Sequence, residues 1–138
     1  MVLKIPGSVG YVSLNYAERR GLAAAAMKNR SGHYVKPTQE SVSMAAQVPI
    51  PEDCRLLITD TPAANGYPIS AFTYLLVYQE QAYDNRTRRK AEALVDFLTW
   101  ILDDGQAYTK PLHYAPLPPA ALNQARKAVR SIFYDGGH

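Results

Sequence analysis

NGYPISAFTYLLVYQE, residues 65–80, is the stretch that decides the fold. Nearly every residue from Ile69 to Tyr78 is apolar or aromatic. Because successive side chains of a strand point to opposite faces, a strand over these residues is apolar on both faces. Such strands occur where both faces are covered, as in the sheet of an α/β protein. The stretch predicts a long buried strand and raises the question of what covers it.

Two amphipathic helices are predicted after this strand. Over residues 87–104, apolar side chains recur at spacings of three and four, and Gly105 is the expected C-cap. Over residues 118–133 the same period recurs, and Pro119 suits the first turn of a helix. The two apolar stripes are Ala91, Leu94, Leu98 and Ile101 in the first helix, and Leu122, Ala125, Val129 and Ile132 in the second. These helices are the elements clearly available to cover the strand.

Residues 1–66 predict a thinner unit made of short elements. Strands are expected over 9–13 and 55–59, and a short helix over 15–20, capped by Ser13 or Asn15 and stopped at Gly21. The turn residues NRSG (29–32) predict a hairpin that leads into 33–35. A further helix opens at 37–40 with Thr38 as its cap. We therefore expect a mixed α/β chain with about five strands and three or four helices, and a boundary near 66–70.

Length and composition limit the possible classes of protein. A chain of 138 residues suits one domain or two small lobes, and 47% hydrophobic residues predict a folded chain. The net charge of +3 allows an anionic ligand, while no basic run has the length of a nucleic-acid-binding tail. Cys54 is the lone cysteine, so no disulfide forms within the chain. We expect no signal peptide, because Lys4, Pro6 and Gly7 interrupt the first apolar run, and no stretch reaches the length of a membrane span.

The sequence offers no catalytic or metal-binding pattern. Its three histidines lack the spacing of metal ligands; they are His33, His113 and His138. No nucleophile elbow and no Ser/His/Asp order is present. Acidic residues at 52 and 53 would raise the pKa of the Cys54 thiol, which is interpreted as a small buried side chain. We predict that the protein is not an enzyme, needs no cofactor, and has no catalytic, ligand-binding or metal-binding residue of its own.

Two basic features bear on anion binding. Arg30-Ser31-Gly32 has the composition of an anion nest, but its place in a hairpin predicts a plain turn. The cluster Arg86–Lys90 stands at the start of the long helix, where cations oppose the helix dipole. It indicates either an acidic partner or a solvated helix end supported by an Arg88–Glu92 pair.

Five segments in a fixed order resemble a known family. They are GSVGYVSLNYA (7–17), NRSGHYVKPTQESVSMAA (29–46), YPISAFTYLLV (67–77), DFLTWILDDGQ (96–106) and LHYAPLP (112–118). Together they look like the C-terminal part of the phosphate-binding protein of ABC-type phosphate transporters, over about residues 5–133. The resemblance implies a partial type II periplasmic-binding-protein-like fold, a mixed sheet with flanking helices that is incomplete without the N-terminal half.

The resemblance also implies a role and a location. Family members are periplasmic or extracellular receptors that close two α/β lobes on phosphate and deliver it to an ABC permease. They are more than twice as long as this chain, and their phosphate-contacting residues lie in the part that has no counterpart here. Residues 1–66 would be the remainder of the second lobe, and residues 67–138 the C-terminal segment of the first lobe.

The missing counterpart implies that the strand over 69–78 lacks its neighbours. The two helices would cover only part of it, and uncovered apolar side chains favour association through a sheet edge or face. We expect a homo-oligomer, a dimer or larger, or pairing with a complementary half. The alternative to a receptor fragment is a stand-alone interaction or structural half-module.

Overall fold

The computed structural model describes residues 4–136 and shows short helices joined by extended segments. Within these residues the α-helices are α1 (Leu14–Arg19), α2 (Gln39–Ala45), α3 (Arg88–Leu102) and α4 (Pro119–Arg130). The strands are β1 (Met27–Lys28) and β2 (Tyr34–Val35). The 3₁₀-helices Asp104–Tyr108 and Lys110–Leu112 lie between α3 and α4. These elements are consistent with a partial α/β fold.

The helices begin where their capping residues predict. Ser13 is the N-cap of α1, and Gly21 follows that helix with a φ of 61°. At α2 the Thr38 hydroxyl accepts from the Ser41 N–H at 3.1 Å, and the Ser41 hydroxyl accepts from the Thr38 N–H at 2.9 Å. This reciprocal pair satisfies two amides that the first helical turn leaves free. Pro119 occupies the first turn of α4, as predicted.

The end of α3 differs from the prediction. The helix stops at Asp103, whose φ of −109° and ψ of −98° leave the helical region, and Gly105 lies inside the following 3₁₀-helix. Gly105 is therefore not a left-handed cap. Its backbone passes so close to the helix that a Cβ atom there would lie 3.0 Å from the Trp100 carbonyl oxygen. The glycine is explained by this close approach.

Helices α3 and α4 pack on each other. The buried apolar side chains of the two helices include Leu98, which belongs to the predicted stripe of α3, and Leu102 and Ala121, which lie next to positions of the two stripes. Arg126 on α4 reaches back to the Asp103 carboxylate at 2.7 Å. Because this ion pair is partly exposed, apolar burial contributes more to the contact than the charges do.

The hairpin between β1 and β2 is confirmed. The strands are antiparallel, with Lys28 opposite Tyr34, and Gly32 takes a φ of 87° in the turn. Asn29, which is 4% exposed, holds the hairpin against the loop that follows residue 60. Its side-chain amide donates to the carbonyls of Ala63, Ala64 and Gly66 at 3.3, 2.8 and 3.2 Å. A buried amide with these partners ties together segments that are distant in sequence.

The predicted mixed sheet is absent from residues 4–136, and this corrects the other strand assignments. The segments 9–13, 55–59 and 69–78 have no paired neighbour; the sheet in the described residues is the β1–β2 hairpin. An isolated parallel bridge joins Glu80 to Phe133. A helix satisfies its own backbone, whereas a strand needs the backbone groups of a neighbour. The helices therefore form from local sequence alone, whereas these three segments remain extended without a pairing partner.

Candidate functional site

The segment from Ala71 to Tyr78, here called the open strand, exposes large apolar side chains. Leu76 is 95% exposed, and Leu75 and Tyr78 are 59% and 69% exposed. The prediction of a long buried strand is thus wrong for the described chain, while the expectation of uncovered apolar side chains is confirmed. Since soluble proteins rarely expose contiguous apolar patches, the open strand has the character of an interface.

An apolar groove of about 250 Å³ lies between the open strand and helices α3 and α4. The groove is lined by Phe72, Thr73, Tyr74, Leu75 and Val77, together with apolar side chains of both helices. Leu76 and Tyr78 lie outside the groove lining. The two helices therefore cover the open strand only in part, and side chains such as Leu76 stay exposed.

The backbone of the open strand is anchored near its C-terminal end and is unpaired before it. The Phe133 N–H donates to the Gln79 carbonyl, and the Gln81 N–H donates to the Phe133 carbonyl, both at 2.9 Å. Within residues 4–136, no backbone group of 71–77 forms a hydrogen bond. A row of free N–H and C=O groups is the template onto which another strand pairs.

Two other extended segments share this character. Val9 and Tyr11 are 95% and 98% exposed, and Leu57 is 83% exposed. The Tyr74 hydroxyl donates to the Leu56 carbonyl at 2.7 Å and accepts from the Leu56 N–H at 3.2 Å, so that it connects the open strand to the segment 55–59. These segments, predicted as strands, are therefore extended and unpaired, and residues 4–136 provide no strand that pairs with them.

Cys54 lies at the edge of the apolar groove and is partly buried. Burial raises the pKa of its thiol, and the neighbouring Asp53 carboxylate raises that pKa further. The predicted effect of the acidic neighbour is confirmed. A thiol with a raised pKa is protonated at neutral pH and is a weak nucleophile.

Two of the four cations in the basic cluster Arg86–Lys90, Arg86 and Arg88, contact neighbouring tyrosines. Arg86 donates to the Tyr83 hydroxyl at 2.8 Å, and the Arg88 guanidinium lies 5.0 Å from the centre of the Tyr134 ring. The expected Arg88–Glu92 ion pair is not formed within residues 4–136. The cation–π contact takes its place because Tyr134 also donates its hydroxyl hydrogen to the Arg86 carbonyl at 3.0 Å, which holds the ring beside Arg88.

The Arg30-Ser31-Gly32 segment is a turn whose groups have internal partners. The Arg30 N–H donates to the Asp60 carboxylate at 2.7 Å, and the Ser31 hydroxyl donates to the Pro62 carbonyl at 3.0 Å. The Gly32 N–H donates to the Asn29 carbonyl at 2.9 Å. The prediction of a plain turn is therefore confirmed.

The histidines are separated in the structure. His33 Nδ1 lies 3.0 Å from the Ala64 carbonyl, and His113 Nδ1 lies 2.5 Å from a Glu18 carboxylate oxygen. His138 lies outside the described residues. No group of potential metal ligands occurs among residues 4–136, and none of the helices described there has the length and hydropathy to cross a membrane. The prediction that no residue here binds a ligand stays a prediction.

Comparison with known proteins identifies relatives over nearly the whole chain. The family described as "PBP superfamily domain" matches residues 1–105. The phosphate-binding protein PstS of Methanocaldococcus jannaschii is 40% identical over 146 residues, covering 96% of this chain and 36% of that protein. The proteins of the same name from Xylella fastidiosa (strain Temecula1) and Pasteurella multocida are 35% and 29% identical, covering 96% and 89% of this chain and 36% of each relative.

These matches confirm the resemblance to phosphate-binding proteins. The chain spans about a third of the length of the curated relatives it matches. The sequence marked Asn29 only as a turn residue. Its bonds to the loop after residue 60 were not predicted, because these partners are more than 30 positions away along the chain.

Proposed function

This chain belongs to the PBP superfamily, and we propose that it is the C-terminal portion of a phosphate receptor, not a complete one. The open strand is the observation that carries this proposal. It is apolar on both faces and unpaired, as expected of a strand whose sheet neighbours lie in another part of a longer protein. The matched relatives, which are about three times as long as the aligned part, contain such additional sequence.

In the complete receptor this chain would contribute to the scaffold, and the residues that bind phosphate would lie outside it. Phosphate recognition needs several convergent donors, because an anion held in water-free surroundings must keep its hydrogen bonds. In the 30–32 turn, the N–H groups of Arg30 and Gly32 and the Ser31 hydroxyl have internal partners. In the Arg86–Lys90 cluster, Arg86 and Arg88 contact Tyr83 and Tyr134. We propose no cofactor and no catalytic role.

The setting follows from the same relationship. We propose that residues 1–66 belong to one lobe and residues 67–138 to the other, with the crossing at Tyr67-Pro68-Ile69. The complete receptor would work outside the cytoplasmic membrane and deliver phosphate to an ABC permease. The partners of this chain would be the complementary portion of the receptor and, through it, that permease.

Calorimetric titration tests this proposal. Phosphate titrated into the chain alone should give no binding in the micromolar range. A fusion that places the preceding two-thirds of the Methanocaldococcus jannaschii relative before residue 5 should restore binding, with sulfate as the competing anion. The same fusion with Leu76→Asp is the matched control, since a charge in the completed sheet should abolish assembly. Micromolar phosphate binding by the chain alone would refute the proposal.

The open strand also favours a second candidate, a half-module that pairs with a second copy. Residues 61–79 contain no charged residue, so two antiparallel copies of the open strand would bring no like charges together. Size-exclusion chromatography with light scattering decides whether this pairing occurs. A clean monomer at micromolar concentration would exclude it and leave the receptor portion as the sole candidate.

A further inference from the structure

Residues 110–116, here called the strap, cross the first helix of the N-terminal unit. His113 Nδ1 lies 2.5 Å from a carboxylate oxygen of Glu18 on α1. The side-chain amide of Asn15, also on α1, donates to the Tyr114 hydroxyl oxygen at 3.1 Å. Two consecutive residues of the strap therefore contact the same helix.

The strap also contacts α2. The Gln39 side-chain amide donates to the Lys110 carbonyl at 3.1 Å. The Ser43 hydroxyl, one turn further along the helix, donates to the Pro116 carbonyl at 3.0 Å. Both ends of the strap are thus bonded to α2, and its middle is bonded to α1.

The local backbone is shaped for these contacts. His113 takes the left-handed conformation, with φ 61° and ψ 32°, which is uncommon for a residue other than glycine. The His113 N–H donates to the Lys110 carbonyl at 3.0 Å, and the Tyr114 N–H donates to the Thr109 carbonyl at 2.9 Å. These bonds close a tight bend that presents both side chains to α1.

We propose that the strap is a reversible latch that, beside the Tyr74–Leu56 and Gln124–Glu52 hydrogen bonds, holds residues 1–66 in one orientation relative to α3 and α4. This role for the strap rests on the proposed function, because a receptor with two lobes must change the relative orientation of its lobes and then restore it. The contacts are polar and at least partly exposed, so each is individually modest and can be broken without unfolding either unit. A permanent joint would instead be apolar and buried.

Spin-label distances test the latch directly. In a Cys54→Ser background, labels at Lys28→Cys on the hairpin and Lys127→Cys on α4 report the orientation of the two units, and both sites are exposed. Labelled protein is diluted into unlabelled protein so that the distances come from single chains. The intact strap should give one narrow distance distribution. The triple variant Glu18→Ala, Ser43→Ala, Tyr114→Phe should give a wider or shifted one.

Hydrogen exchange supplies a second readout. Amides of α1 and α2 should exchange about tenfold faster in the triple variant, an opening free energy lower by about 1.4 kcal/mol, while β1 and β2 keep their protection. Tyr108→Phe, which removes the hydroxyl of an exposed tyrosine outside the strap, should change neither readout.

The latch is refuted if the triple variant keeps the narrow distribution and the original exchange, or if Tyr108→Phe has the same effect. If the triple variant loses hydrogen-exchange protection in every element, it has unfolded. The single variant Ser43→Ala is then tested by the same distance and exchange measurements. Neither measurement uses phosphate, so a failure of the latch is separate from a failure of the proposed function.

Discussion

Removing most of the Leu76 side chain should weaken association and leave the stability of the single chain unchanged. Leu76 is 95% exposed, so Leu76→Ala takes no packed atoms from the core. Burial of the three lost carbons contributes about 2.4 kcal/mol at about 0.8 kcal/mol per carbon. A two-fold pair buries two such side chains, so the loss is about 5 kcal/mol, or roughly three to four orders of magnitude in Kd.

Sedimentation velocity over a concentration series measures the association, and urea unfolding at low concentration measures the stability of the chain. Leu98→Ala is the matched control, since Leu98 is 7% exposed in the α3–α4 contact. It should lower the free energy of unfolding by about 2–5 kcal/mol. The reasoning fails if Leu76→Ala lowers the unfolding midpoint as much as Leu98→Ala does, or if it leaves the association unchanged.

Three further outcomes are expected. Asn29→Ala should lower the free energy of unfolding by about 1–3 kcal/mol in urea titrations, because three carbonyls lose their buried donor; an equal loss in the exposed control Asn65→Ala would contradict this. Thr38→Ala should cost about 1 kcal/mol in the same assay through loss of the α2 cap, and no change would show that the cap is dispensable. The Cys54 thiol should react with a disulfide reagent along a pH profile shifted above that of free cysteine, since burial and Asp53 raise its pKa and less thiolate is present at a given pH. Urea should remove the shift, and a profile matching free cysteine in the folded chain would contradict it.

The helices were predictable from the sequence because a helix is determined locally. Periodic apolar residues located α3 and α4, and Thr38 and Pro119 marked the starts of α2 and α4. Each of these signals acts within a few residues, and hydrogen bonds inside the helix complete the element. The hairpin was predictable for the same reason, since its turn residues determine the pairing of β1 with β2.

The strands and the contacts between units depend on distant partners. The propensity of 69–78 for extended structure is clear, yet pairing requires a neighbour that the described chain does not provide. The partners of Asn29 and of the strap are fixed by tertiary packing, and no local pattern encodes them. Gly105 and Arg88 show the same limit, because each has a role set by Trp100 or Tyr134 and not by its place in the helix.

The hydrogen bonds that join Phe133 to Gln79 and Gln81 have a consequence for engineering. They bring the two ends of the segment 79–133 side by side, so that the segment containing α3 and α4 begins and ends at neighbouring positions. A replacement for residues 79–133 needs only two ends that lie equally close together, so it can be inserted without long linkers. This segment is therefore a suitable unit to exchange between relatives when chimaeras are built.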